Sequence, residues 1–454
     1  MTNPRETFGS RFAVIMAMAG SAIGLGNIWR FPYLVGEYGG AAFIIVYILA
    51  GLILALPIFF AETIIGRRSR QNTVGSMKLL APDTGWKWLG LLTVFSPVVI
   101  LSYYSVVGGW SVEYLFKSLT FGFSGLGSSE VTGFFSEFTL STWAPLVAHS
   151  IFLLMSAGIV LAGVKKGIEW FSKLMMPVLF VLIVAVVVYS LTLPGSEKGV
   201  EYLIKLDFSK LGAEGILAAL GQSFFSLSLG VGAMLIYASY MKKDESILAS
   251  GIGTVASDTI FAILAGFAVM PAVFSAGLAP SGGPGLVFQT LPYVFNEMGG
   301  GVPWIGSAIA ILFFLAILVA ALTSTISITE VVVAYLSEEK GMSRFKAVAA
   351  ITLFAWAVGI LCSLSFGPLS DVKIFGNTIF DALDKLCGNF LMPFGGLLFT
   401  LFVGWKMPSA DAREEFTNGG TLSFAGRVYP LVRFLIRYVA PVGIIVIFIC
   451  GLLG

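Results

Sequence analysis

Charge is scarce in this chain. Asp, Glu, Lys and Arg supply 11% of 454 residues, where an ordinary soluble domain carries about 25%. A water-soluble globular fold is thereby excluded. A net charge of +2 leaves no basic, aromatic-laced face for nucleic acid. Histidine is nearly absent: His149 is the only one, near the start of an apolar run, and a proton relay through it is disfavoured. The three cysteines, Cys362, Cys387 and Cys450, have no metal spacing and read as small buried thiols rather than a disulfide or a metal site. There is no nucleophile–base pair, metal-ligand cluster or phosphate loop, so an enzyme is not expected. What the chain has in excess is hydrophobic residues, 57% of the total, with a mean hydropathy of +0.93. These values describe an all-α polytopic membrane protein.

A span needs about 20 predominantly apolar residues. Eleven such runs are expected, at 11–36, 40–65, 87–118, 144–163, 168–192, 214–240, 249–275, 302–336, 343–363, 377–404 and 429–453. The first is long, follows a charged start and contains Asn27 and Arg30, so it reads as a span rather than a cleavable leader. Residues 277–301 form a loop rich in Gly and Pro, a candidate lid. With the N-terminus placed in the cytoplasm, only Arg30, Lys117, Lys198, Lys205, Lys210, Lys373 and Lys385 of the 27 Lys and Arg residues fall outside. That bias sets the orientation in a plasma membrane. Eleven spans then leave the C-terminus outside.

Two spans are interrupted at matching places. The first carries Gly20, Gly24 and Gly26 near its middle; the sixth carries Ser226-Leu-Ser-Leu-Gly-Val-Gly232. A helix broken deep in a bilayer leaves N–H and C=O groups that hydrocarbon cannot satisfy, at several kcal/mol each. In the first break, the N–H groups of Leu25, Gly26 and Asn27 would face a carboxylate, and the carbonyls of Gly20, Ala22 and Ile23 a cation. Close helix packing through small residues is the alternative. Five spans separate the breaks, so spans 1–5 and 6–10 enter the membrane from opposite sides. This predicts a five-plus-five inverted repeat, with units 1–200 and 201–405 and a remainder, 406–454, holding a cytoplasmic linker and span 11.

Gly20 to Pro32, GSAIGLGNIWRFP, closely resembles the span 1 signature of the neurotransmitter:sodium symporter family, which includes the bacterial leucine-transporter-type amino acid transporters. The likeness continues through Gly39-Gly-Ala-Ala-Phe43, Lys166-Gly-Ile-Glu169, Gln222-Ser-Phe-Phe-Ser-Leu-Ser-Leu-Gly230, Tyr237-Ala-Ser-Tyr240 and Leu322-Thr-Ser-Thr325, nearly the whole chain. The resemblance implies the leucine-transporter-type fold and sodium-driven uptake by alternating access. It implies two Na+ sites. One would use the Ala22 carbonyl, Asn27, Ser226, Asp258 and the substrate carboxylate. The other would use carbonyls of Gly20, Ile23 and Ala320 with the hydroxyls of Thr323 and Ser324. Oxygen ligands suit a hard cation, although a Thr-Ser pair in a span commonly bonds its own helix.

By the same resemblance, Tyr104 offers its hydroxyl to the substrate carboxylate beside Ala22, Gly24, Leu25 and Gly26. The side-chain pocket would be lined by Ile100, Tyr104, Phe225, Ser226, Ser228, Val231, Ser324 and Ile328. Amine transporters of the family often carry Asp where this chain has Gly24. That favours a ligand bringing its own carboxylate, an α-amino acid, with an apolar side chain because an unpaired buried charge is prohibitive. Val231 stands where relatives carry bulkier residues, which predicts a broad pocket for Leu, Ile, Val and Phe, and at its limit Tyr or Trp.

Chloride-dependent relatives keep Asn at position 258 and Ser one turn later. Here Asp258 and Ala262 stand beside the retained Tyr47, Gln222 and Ser226, so transport without chloride is expected, with proton antiport on the return step. The resemblance implies that Arg30 and Asp384 form the outer gate, with Phe225 as a lid over the substrate. Arg5 and Glu338 would close the inner side with Phe8, Ser239 and Tyr240. Gly167 and Pro177 would let the inner end of span 5 unwind; an ordinary proline kink is the alternative. Glu62 and Glu330 read as interior groups hydrogen-bonded to backbone. The expected partners are a small amino acid and the lipid bilayer, with no obligate protein partner. An amino-acid-gated channel or an amino acid sensor are the competing classes.

Overall fold

The structure is a computed structural model describing residues 5–277, 286–298 and 303–453. Nine helices in it are long and apolar enough to cross a membrane. A tenth crossing, span 1, is a bent pair, Arg11–Ala22 and Gly26–Glu37, with 54° between its halves. Spans 2–5 are Ala41–Ser69, Lys87–Leu119, Trp143–Leu161 and Val164–Leu191. Span 6 is two short helices, Gly212–Ser226 and Ala233–Ser239, joined by residues 227–232. Spans 7–11 are Ile247–Ser275, Trp304–Lys340, Arg344–Leu364, Ile379–Lys406 and Ser423–Cys450. The eleven expected runs therefore all carry helix, and both interruptions fall where the small residues cluster.

The interrupted spans occupy the interior. Span 1 packs against spans 5, 7 and 8, and the Ala233–Ser239 half of span 6 lies against span 2. Glycine makes the second contact possible: a Cβ on Gly66 would sit 2.0 Å from the Leu235 carbonyl oxygen. In the span 6 turn, Ser228, Gly230 and Gly232 all have positive φ. Glu62, fully buried in span 2, accepts the Gly230 N–H at 2.6 Å, so a carboxylate supplies one partner that the broken helix lost. Glu62 thus bonds backbone, as expected.

Short helices without a counterpart in the hydropathy pattern connect the spans. Ser409–Phe416, between spans 10 and 11, is held to the end of span 2. Arg67 is 1% exposed there, pairs with Glu415 at 2.9 Å, donates to Asn418 at 2.8 Å, and bonds the Glu245 and Glu415 carbonyls. The candidate lid at 277–301 lies partly outside the described residues. Its described piece, 286–298, is helical rather than a loop (Leu286–Thr290 and Leu291–Met298) and carries Phe288 into a cluster with Trp110, Tyr114, Phe135 and Phe314.

Gly230 tests this packing. Its φ is +83°, and a Cβ would lie 2.0 Å from the Met392 carbonyl oxygen. Gly230→Ala is expected to destabilise the protein by roughly 2–4 kcal/mol, from left-handed strain plus overpacking. Thermal denaturation in detergent reads this. Gly426→Ala, with open space around it, should leave the midpoint unchanged.

Candidate functional site

Both interruptions meet at the centre of the bundle. Helix Arg11–Ala22 ends where Ile23 turns extended, with ψ 105°. The second half, Gly26–Glu37, follows a local bridge across the break: the Asn27 side-chain oxygen accepts the Gly24 N–H at 3.0 Å, and the Asn27 N–H bonds the Gly24 carbonyl at 3.1 Å. The Leu25 N–H donates to the Tyr104 hydroxyl at 3.1 Å. One of the three N–H groups expected to face a ligand is therefore shared with the tyrosine expected beside it.

On one side of the break lies a carboxylate cluster. The Asp258 carboxylate, in a residue 1% exposed, accepts from Ser226 Oγ at 2.6 Å, Asn27 Nδ2 at 2.8 Å and Tyr47 Oη at 2.8 Å. Among the described residues no basic side chain lies within 4 Å of it. A buried carboxylate costs several kcal/mol unless its charge is met, so this cluster suits a small cation. Gln222 Nε2 adds a bond to the Gly26 carbonyl at 2.8 Å. On the other side, Thr323 Oγ1 donates to the Val319 and Ala320 carbonyls at 3.1 and 3.0 Å. Ser324 Oγ lies 3.3 Å from the Ser21 carbonyl and 3.5 Å from that of Ile23. Gly20 is close enough that a Cβ would meet Thr323 at 3.3 Å. The residues expected for each Na+ site are thus brought together, and Thr323 also bonds its own helix.

Between the clusters lies a small cavity of about 30 Å3 lined by Ala22, Gly24, Gly26, Ile100, Tyr104, Phe225, Ser226, Ser228, Val231, Ser324, Ile328 and Met392. Apart from Leu25, every residue expected around the substrate is on this wall. Met392 was missed, because span 10 was read only for its charge. Above lies a vestibule of about 530 Å3, which Leu25 does line. Gly26, Tyr104, Phe225 and Met392 face both spaces and form the partition. Space at Gly24 is tight: a Cβ would lie 2.5 Å from Ser324 Oγ and 2.9 Å from Tyr104 Oη.

Arg30 and Asp384 both line the vestibule. Arg30 lies over the Phe225 ring, 5.2 Å from its centroid, and no ion pair within 4 Å joins it to Asp384. The opposite side is closed. Arg5 pairs with Glu338 and lies over the Tyr240 ring at 4.7 Å. Phe8 is fully buried edge-on against Tyr237 and Tyr240. Its N–H bonds the Tyr240 carbonyl at 3.0 Å. Glu169 accepts the Gly9 N–H at 2.9 Å. Glu330 departs from expectation: it takes the Tyr240 hydroxyl at 2.7 Å and pairs with Arg344 at 2.6 Å, so side chains rather than backbone satisfy it. At the start of span 5, Gly167 sits in a wide helical turn, Val164–Glu169, and Pro177 lies inside the following helix.

A model of the sodium:neurotransmitter symporter family matches residues 5–125 and 142–453. The chain belongs to that family. An uncharacterized sodium-dependent transporter of Bacillus subtilis (strain 168) is 40% identical over 443 residues, 97% of this chain and 96% of the relative. The sodium-dependent serotonin transporter of Drosophila melanogaster is 26% identical, covering 99% of this chain and 77% of its own. The crystal structure of MhsT in complex with L-phenylalanine superposes with a TM-score of 0.90 at 40% identity, covering 99% of this chain and 100% of that one. The symporter therefore has the leucine-transporter-type fold in a multi-pass membrane protein. Its activity is sodium-dependent transport, not an enzymatic reaction.

The closed side makes a measurable claim. Glu338 holds both Arg5 and Asn72, whose N–H and Nδ2 donate to it at 2.8 and 3.0 Å. Glu338→Gln should speed amide hydrogen exchange across residues 5–10 and 72–75 several-fold, leaving span 4 unaffected. Unchanged exchange in both segments would remove Glu338 from the closure.

Proposed function

We propose that this symporter carries hydrophobic L-amino acids, aromatic ones included, together with Na+ by alternating access. The observation that carries this reading is the apolar cavity at the span 1 break, with Tyr104, which accepts the Leu25 N–H, on its wall and an oxygen-rich cluster on either side. An α-carboxylate fits beside Tyr104 and the backbone of Gly24–Gly26. The side chain then lies against Ile100, Phe225, Val231 and Ile328. Since about 30 Å3 holds only a water or two, Phe225 and Met392 must swing for a leucine-sized ligand. The bound L-phenylalanine of MhsT supports an aromatic substrate. Gly24 supplies no charge for an amine that lacks a carboxylate, which argues against the substrate type of the serotonin relative.

Two Na+ sites follow in this reading, with Asp258, Asn27, Ser226 and Ala22 holding one ion and Gly20, Ile23, Ala320, Thr323 and Ser324 the other. Ser226 touches both the cavity and the Asp258 cluster, so ion and substrate strengthen each other's binding, as reciprocal coupling requires. The fixed charge of Asp258 stands in for chloride and takes up a proton on the return step. Arg5 with Glu338 is the inner gate; Arg30, Asp384 and Phe225 are the outer one. The N-terminus is cytoplasmic and the C-terminus external, and 1–200 and 201–405 are the repeat units.

Reconstituted vesicles test this directly. Uptake of labelled leucine or phenylalanine should require an inward Na+ gradient and persist when gluconate replaces chloride. Competition should rank apolar amino acids above charged ones; a protein that takes only glycine and alanine contradicts the pocket assignment. Asp258→Asn should make uptake chloride-dependent and lower it at least tenfold in gluconate. Wild-type-like uptake by that variant without chloride would sink the assignment of Asp258.

A further inference from the structure

A second apolar cavity, of about 520 Å3, lies outside the transport path, in the groove between spans 4 and 9. Leu154, Ala157 and Leu161 form one wall; Phe345, Ala349 and Trp356 form the other. Its outer lips face away from the bundle: Leu154 and Phe345 are each 68% exposed. The Trp356 indole N–H is already bonded to Ser150 at 2.9 Å, so the far end makes no further polar demand. From Phe345 to Trp356 the groove runs about 16 Å along a helix, close to the depth of one leaflet of a hydrocarbon core of about 30 Å. It starts at the membrane surface that carries the N-terminus, because Arg344 bonds the Val160 carbonyl at 2.8 Å and the neighbouring Val164 N–H bonds Glu6 at 3.1 Å.

That rim is basic. Arg344 and Lys173 are taken by Glu330 and Glu169. Lys165, Lys166 and Lys346 are exposed, and among the described residues none has a carboxylate within 4 Å. Glu6, a third carboxylate at this rim, accepts the Val164 N–H and pairs with none of these lysines within 4 Å. An apolar slot one leaflet deep, ending at three unpaired ammonium groups, matches an acyl chain joined to an anionic headgroup. We propose that the groove between spans 4 and 9 is a binding site for one anionic phospholipid, with an acyl chain along Leu154–Leu161 and Phe345–Trp356 and the phosphate at Lys165, Lys166 and Lys346. A zwitterionic lipid fills the slot equally well but gains less at the rim.

Native mass spectrometry of the detergent-purified protein, offered phosphatidylglycerol and phosphatidylcholine in equal amounts, reads the site. Wild type should retain phosphatidylglycerol several-fold more than phosphatidylcholine. The triple variant Lys165→Ala, Lys166→Ala, Lys346→Ala should lose that preference, and the corresponding triple Arg variant should keep it. Ala349→Trp, which fills the slot and leaves the lysines in place, should reduce retention of both lipids. Equal retention by wild type, a preference that survives the triple Ala variant, or retention unaffected by Ala349→Trp overturns the proposal. So does a dimer mass that replaces the lipid adduct. A monodisperse elution profile for each variant separates loss of lipid from loss of fold.

Discussion

Peptide groups that leave a helix inside hydrocarbon must find partners, and the centre of this protein is organised around that demand. The Asn27 side chain takes the Gly24 N–H, Tyr104 that of Leu25, and Glu62 that of Gly230. Each partner comes from the broken element itself or from a span packed against it. The break is therefore a property of the assembled bundle and not of one segment. The same polar groups that stabilise the unwound backbone are the ones assigned to substrate and Na+ in the proposed function, so on that reading one set of atoms serves both folding and transport.

The two sides of the molecule differ in how they are held. Toward the N-terminal surface, one ion pair, a buried phenylalanine and backbone bonds tie residues 5–9 to spans 5, 6 and 8. Toward the other surface, a vestibule reaches the partition formed by Phe225 and Met392, and Arg30 rests on an aromatic face instead of a carboxylate. Exposed ion pairs are worth only about 0–1 kcal/mol. Closure on the N-terminal side is therefore carried as much by the burial of Phe8 as by Arg5 and Glu338.

Much of this was legible in the residues. Eleven apolar runs were visible because hydropathy is a sum over twenty positions. The breaks were visible because glycine and serine cluster where nothing else explains them. The cavity walls on spans 1, 3, 6 and 8 followed from the family motif. Met392 was not legible: methionine in an apolar span carries no signal, and its place on the cavity wall depends on how span 10 packs beside the breaks. The partners of Glu330 were hidden for a related reason. Tyr240 lies 90 residues away in sequence, and hydropathy does not encode which buried carboxylate meets which tyrosine. The short helices between spans were missed because they are polar and brief.

The crowding at Gly24 has a consequence for descent within the family. A side chain at that position would occupy space now held by the hydroxyls of Ser324 and Tyr104, so a carboxylate cannot be installed there by one codon change without displacing groups from spans 3 and 8. A side chain at position 24 is accommodated only if the Ser324 and Tyr104 hydroxyls move from where they now stand. The effect of a substitution at 24 therefore depends on which residues occupy 104 and 324, so tolerance at this position is a joint property of spans 1, 3 and 8.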